Sequence, residues 1–311
     1  MMRIVFDTNA YRNFVSGKAL DQIQKEITEI VQKERTHGNI AHMSTTVAME
    51  IISHLKDDEA EFSYKSCIKA SQALYYHCGD DTAFRLAPLP ETQLAKEFFD
   101  VENVKSVKTQ TTVGQMLYQI AKNPDKATIS KYDAEIQQVI DFIHNAEKNL
   151  IFQVESMAKA IDPTYYDWTL FRDDSSKRTN YLNEIRSENF ILMTSLAMLT
   201  AVCYDLVGQG IELREFTRDE VKAHADAYRQ RYAASLELRR YWMSQLPGHF
   251  DMTKKSRANF IWDEKILHLI DHTIEGEPIM IVTADEKMHE CAKKTNPAAN
   301  IMKLDDYLAT L

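Results

Sequence analysis

The sequence predicts an α/β protein, a parallel sheet flanked by helices and interrupted by a large all-α insertion. Three observations predict it. Short apolar runs that read as buried strands alternate with helical stretches over residues 1–101 and again over 255–311, the pattern of strand–helix–strand units. Between them, 102–254 reads as largely helical, with no convincing strand. Only eight Gly and seven Pro in 311 residues leave room for few tight turns and much helix. The expected organisation is a sheet domain in two parts, 1–101 and 255–311, with 102–254 inserted into it.

The elements follow in order. Arg3 to Phe6 is the first strand. A helix over about 19–36 carries Ile23, Ile27, Ile30 and Val31 on one stripe, and Gly38-Asn39 ends it. Ile40 to Met43 reads as a short second strand. Ser44 or Thr45 caps a helix over 46–54 that bears Glu50. A helix over about 60–77 stops at Gly79; 84–87 reads as a third strand closed by Pro88 and Pro90, before a helix over 91–99. After the insertion, a helix is expected over 256–274, then a turn at Gly276-Glu277-Pro278 and a strand at 279–282. A helix to Lys294, a strand at 301–304 and a short last helix complete the chain. There is no internal repeat and no low-complexity tract.

Composition narrows the class. With 44% hydrophobic and 27% charged residues the chain has the makeup of a soluble globular protein. A net charge of −9 argues against a broad basic coat for duplex binding and leaves a local basic groove open. Cys67, Cys78, Cys203 and Cys291 have no metal-type spacing and read as reduced cysteines. The chain enters its first strand without a leader pattern. Its longest uncharged stretch, 189–204, has 16 residues, short of the ~20 of a membrane span, and reads as a buried helix. A cytoplasmic protein is expected.

Four acids stand out. Asp7 ends the run Ile4-Val5-Phe6, and Asp285 follows Ile279-Met280-Ile281-Val282 after Thr283-Ala284. A buried strand that stops on a carboxylate delivers it to the carboxyl edge of a parallel sheet, where ligands bind in open α/β folds. Asp263 shares a helical stripe with Leu267, Ile270 and Ile274, while Glu264 lines up with His268 and Asp271 on the face expected to point outward. Glu50 lies in the apolar setting Ala48-Met49-Glu50-Ile51-Ile52, where a lone carboxylate is costly. Each has a plainer reading, as a turn residue, a helix cap or an ion-pair partner. Their convergence on one sheet edge is what points to chemistry. Crowded buried carboxylates must protonate or bind a cation, and an all-oxygen set suits Mg2+ or Mn2+ and not zinc.

The order of these pieces resembles the PIN domain family of nucleases: Ile4 through Asn9, Ser44 through Glu50, Trp262-Asp263 on a helix, and Ile281 through Asp285. The resemblance covers residues 1–101 and 255–311. Its more specific parts are the opening Asp-Thr-Asn and the closing Thr-x-Asp. It implies a five-stranded parallel sheet and Mg2+- or Mn2+-dependent cleavage of RNA, less often DNA. Asp7, Glu50, Asp263 and Asp285 would be the metal-binding and catalytic residues, and Asn9 and Thr283 would orient ligands or the attacking water. The departure is size, because small members of the family lack an insertion like 102–254. A haloacid-dehalogenase-type phosphotransferase also starts with an Asp after its first strand, but that chemistry wants a second Asp two residues on, and position 9 is Asn.

A carboxylate cluster repels nucleic acid unless cations offset it. Lys254, Lys255 and Arg257 precede the helix of Asp263. Arg229, Arg231, Arg239 and Arg240 interleave with Tyr228, Tyr232, Tyr241 and Trp242. Arg with aromatics grips single strands, although an amphipathic helix with its rings packed inward is the simpler reading of the second stretch. His268 and His272, at i and i+4 without a third ligand, read as surface residues. The expected function is a metal-dependent nuclease, first an endoribonuclease on single-stranded or structured RNA. The alternative is an inactive PIN-like module whose insertion binds protein or nucleic acid. No membrane partner is expected; a protein partner on the insertion and a homo-oligomer stay open.

Overall fold

A computed structural model describes residues 1–248 and 260–311. Lys254, Lys255 and Arg257, and the start of the helix expected from 256, lie outside the described residues. Strand β1 (Arg3–Phe6) leads to α1 (Thr8–Val15) and α2 (Leu20–Thr36), then β2 (Ile40–Ala41), α3 (Thr45–Ser53), α4 (Phe62–Cys78) and α5 (Pro90–Phe99). The middle of the chain forms α6 (Val104–Lys122), α7 (Lys126–Ser130), α8 (Asp133–Ile161), α9 (Thr169–Asp173), α10 (Ser175–Arg186), α11 (Glu188–Gly208), α12 (Arg218–Arg231) and α13 (Ala233–Gln245). The end returns to α/β with α14 (Phe260–Leu267), β3 (Thr273–Ile274), β4 (Glu277–Thr283), α15 (Glu286–Thr295), β5 (Ile301–Lys303) and α16 (Leu304–Thr310).

The sheet is mixed. Strands β2, β1, β4 and β5 run parallel, with Arg3 to Phe6 opposite Ile279 to Val282 and Ile281 to Thr283 opposite Ile301 to Lys303. This register sets β1 and β4 to end together, and the Asp7 amide donates to the Val282 carbonyl at 3.0 Å.

The expected all-parallel sheet is corrected in two places. Strand β3 pairs antiparallel with β4, because Glu275 (φ 55°) and Gly276 (φ 81°) form a two-residue turn with both central φ positive, the turn that joins twisted hairpin strands. The helix expected to reach 274 therefore stops at Leu267. Residues 84–87 make one parallel bridge, Met43 to Leu86, while Phe84 folds back onto Gly79. Pro88 then ends any ladder.

The insertion shares the core of the sheet domain. Val113, Leu117, Ile136, Val139, Ile143, Ala234 and Leu238, from α6, α8 and α13, pack in one apolar cluster with Ile4, Phe6, Ile281 and Val282. Helix α8 lies on α3, and α13 lies on α14 and α15. Two outer clusters, around Phe171 and Tyr181 and around Leu94 and Tyr228, hold the remaining helices. Fully burying an aromatic or branched side chain contributes roughly 1.5–3 kcal/mol, so a shared core ties the insertion firmly to the helices that carry the acids.

The uncharged stretch lies in α11, and the expectation of a buried helix holds on one side only. Phe190, Leu199, Val202 and Leu206 face the core, while Met193, Tyr204 and Val207 are exposed. Among the described residues α11 is the one helix long and apolar enough, by length and composition, to cross a membrane.

Candidate metal centre

Asp7 and Asp285 stand at the carboxyl edge of adjacent strands. Asp7 caps α1, one carboxylate oxygen accepting from the Ala10 amide at 2.5 Å, and Asp285 caps α15 by accepting from the Met288 amide at 2.7 Å. The plainer reading of Asp285 as a helix cap is therefore correct as far as it goes, and Asp7, whose plainer reading was a turn residue, caps a helix as well. Thr283 joins them: its hydroxyl donates to Asp7 Oδ2 at 2.5 Å and accepts from the Asp285 amide at 2.8 Å. A helix N-terminus favours negative charge, so both carboxylates sit where the backbone also points its amides.

Glu50 comes from α3, and the Thr8 hydroxyl donates to its Oε2 at 2.5 Å. Sequence reasoning missed Thr8, which lies inside the quoted Asp-Thr-Asn motif. Asn9 is exposed, and among the described residues no hydrogen bond links it to any of the four acids. Of the two residues expected to orient ligands, Thr283 bonds one of the acids, and Thr8 bonds another where Asn9 was expected to act.

Asp263 lies on α14, half-buried. Burial pushes its carboxyl well above the ordinary range, and the charges of Glu50, Asp285 and Asp7 push it further. The same causes act on its neighbours. Asp7 is raised to about 6 by burial, against the lowering effect of Thr283 and the Ala10 amide, with Asp285 adding to the rise. Glu50 is raised to about 7 by burial, and Asp7 and Glu147 raise it while Thr8 and Arg12 lower it. The four predicted acids thus share one electrostatic neighbourhood that is short of positive charge.

Two further residues reach this neighbourhood without any sequence signal. Glu147 of α8 accepts from the Trp262 indole N–H at 3.2 Å, beside Asp263. Arg12, one turn beyond Thr8 on α1, is the cation felt by Glu50. Only the packing of the insertion on α3 brings Glu147 here.

The arginine–aromatic stretch is not a groove. Arg239 is a half-buried ion-pair partner of the buried Glu264, at 2.6 Å with further contacts at 3.0 and 3.1 Å. Arg240 reaches Glu237 at 3.5 Å and the Ser187 carbonyl at 3.4 Å. Both were expected to touch substrate; in the structure Arg239 is engaged by Glu264, and Arg240 ties α13 to the start of α11. Tyr228 and Tyr232 are buried against the two histidines expected on the surface, Tyr228 with His268 at 2.7 Å and Tyr232 with His272 at 3.0 Å. Glu264 on α14 and His268 just beyond it point inward because α13 and Tyr228 of α12 cover them. A single-sequence stripe does not register a covering helix.

The donor set is all carboxylate oxygen, which fits a hard divalent cation such as Mg2+ or Mn2+ and not zinc. The oxygens held by Thr8, Thr283 and backbone amides each keep a second lone pair. Among the described residues no three His, Cys, Asp or Glu side chains are already grouped as a metal-binding set, so the fit lies in the chemistry of the donors. No protein-family model, curated protein or solved structure matches this chain.

Proposed function

We propose that this protein is a metal-dependent nuclease of PIN-domain type that acts as an endoribonuclease on single-stranded RNA. The observation that carries the reading is the meeting of Asp7, Glu50, Asp263 and Asp285 in one neighbourhood where three of them are held above their ordinary pKa. Structural carboxylates that are buried normally acquire a cationic partner, as Glu264 does in Arg239. Acids held above their ordinary pKa by burial and by one another's charge are what a site for a cation would present.

In this reading the four acids would hold Mg2+ or Mn2+. Bound there, the ion would supply a Lewis acid that lowers the pKa of water and offsets charge on the phosphate. The chain's own residues do the positioning. Thr283 fixes Asp7, Thr8 fixes Glu50, and the two helix N-termini hold Asp7 and Asp285 in place. Outer contacts of this kind set the direction of a ligand's lone pairs and are worth roughly 10- to 100-fold in affinity or activity.

The test is cleavage of labelled single-stranded RNA, single-stranded DNA and duplex DNA in Mn2+, with EDTA as control. Mn2+-dependent cleavage of RNA, lost in folded Asp7→Asn, is the expected result. A folded protein that cleaves none of the three would overturn the reading in favour of a binding module.

A further inference from the structure

Next to the acids, between α1, the end of β4 and α16, lies a cleft of about 390 Å3. Phe14, Leu304 and Leu308 give it an apolar wall, Asn13 adds an amide, and Lys18 and Lys303 bring two ammonium groups. Thr283 lines it too, and the hydroxyl of Thr283 is the one that holds Asp7. The cleft therefore begins where the carboxylate cluster ends.

We propose that this cleft holds one nucleotide of a single-stranded RNA, beside the phosphate to be cleaved, with Lys18 and Lys303 on its phosphate oxygens and its base against Leu304 and Leu308. The proposal rests on the nuclease reading and names where its substrate lies. The volume is at the small end of ligand sites and suits one nucleotide. A base that enters must first leave any pairing partner, so the cleft selects unpaired strands.

The lysines are placed and still exchangeable. Lys18 Nζ sits 3.8 Å over the Phe14 ring and 2.6 Å from Glu26, and Lys303 Nζ lies 3.2 Å from Glu286. Both are partly exposed pairs of the kind that contribute little, so a phosphate can displace the carboxylates. Lys18 covers the Phe14 ring, which leaves the aliphatic Leu304 and Leu308 as the surface for a base. Glu286 and Asp305 also line the cleft, so the attraction is confined to two ammonium groups and is not a broad basic field. That agrees with a chain of net charge −9.

The experiment is fluorescence anisotropy of a labelled single-stranded oligoribonucleotide, with Ca2+ in place of Mn2+, at several salt concentrations. Wild type, Lys18→Ala/Lys303→Ala, Lys18→Arg/Lys303→Arg and Leu308→Gln are compared, each checked for folding by thermal melting. The alanine pair should bind at least ~10-fold more weakly, and its slope of log affinity against log salt should fall by about 1.4, two phosphate contacts at ~0.7 each for a single strand. The arginine pair should restore the slope. Leu308→Gln should weaken binding with the slope unchanged. Should the alanine pair melt, Lys303→Ala alone at its partly exposed position carries the test with half the slope change. Folded alanine variants with wild-type affinity and slope, or wild type that does not bind the oligoribonucleotide, would overturn the proposal. Lysine-dependent binding without Mn2+-dependent cleavage by wild type would keep the cleft and sink the nuclease reading instead.

Discussion

The Thr283 hydroxyl donates to Asp7 Oδ2 at 2.5 Å across two neighbouring strands whose residues are 276 positions apart in the chain. The contact exists because β1 and β4 run parallel in register and end together. It joins the two ends of the sequence at the one place where both deliver a carboxylate.

Thr283→Val removes that donor while keeping shape. The hydrogen bond lowers the Asp7 pKa, so its loss should raise it further and shift the ascending limb of the pH–rate profile for RNA cleavage to higher pH. Mn2+ affinity should drop by roughly 10-fold. A variant whose pH profile and affinity match wild type would show that the Thr283 hydroxyl serves only to hold the Asp285 amide.

The raised acids make metal-free stability depend on pH. Asp7 moves from 3.8 to about 6 and Glu50 from 4.5 to about 7, burial being the first cause of each. In the unfolded chain both carboxyls ionise near pH 4. Between that pH and about 7 the folded state holds more protons than the unfolded one, so stability falls as pH rises through this window. Below it both states are protonated and there is no penalty. In EDTA, Asp7→Asn should therefore stabilise by ~3 kcal/mol at about pH 7.5 and by much less near pH 4. Urea unfolding at the two pH values decides it; equal effects at both would contradict the raised pKa.

Arg239 and Glu264 hold α14 against α13 by an ion pair whose carboxylate is buried. Arg239→Met leaves a buried carboxylate without its partner and should cost ~3 kcal/mol or more, whereas Arg239→Met with Glu264→Leu should recover most of that loss. Because Asp263 is next in sequence to Glu264, the single variant should also lower cleavage under conditions where it stays folded. A single variant as stable as wild type would show that the pair contributes no net stability.

A second buried network gives the matching control. Tyr11 bonds His77 at 2.9 Å, His77 meets Glu34 at 3.1 Å, and Tyr307 donates to Glu34 at 2.6 Å, all in the interior beneath Phe6. His77→Leu strands Glu34 and should cost ~3 kcal/mol. Mn2+ affinity measured on the folded fraction should not change, since the side chains of this network bond none of the four carboxylates. A large loss of Mn2+ affinity would mean that the metal reading has mistaken general fragility for a site.

The acids on strand ends were legible in the sequence because a strand has a defined exit: apolar residues run up to Asp7 and towards Asp285, and the parallel register does the rest. Glu50 was legible as a charge in an apolar helix. Thr8 was visible but passed over, since its role depends on which way α3 approaches. Glu147, Arg12 and the burial of Glu264 and His268 were not legible, because Glu147 depends on α8 packing on α3, Arg12 on how α1 meets α3, and the two buried residues on α12 and α13 covering them from distant sequence. The β3 hairpin was missed because Thr273 and Ile274 continue a helical stripe, and only the positive φ of Glu275 and Gly276 marks the reversal.

The central claim is that Asp7, Glu50, Asp263 and Asp285 form one metal site, and Mn2+ calorimetry tests it most directly. Wild type, Asp7→Asn and Asp263→Asn would be titrated near pH 7.5, with folding checked by melting. The account predicts saturable Mn2+ binding by wild type that is weakened at least ~10-fold in both variants, and that weakens in wild type as pH falls towards about 5.5, since carboxylates must lose their protons to bind a metal. Wild type that takes up no Mn2+, or binding that survives in both variants, would contradict it.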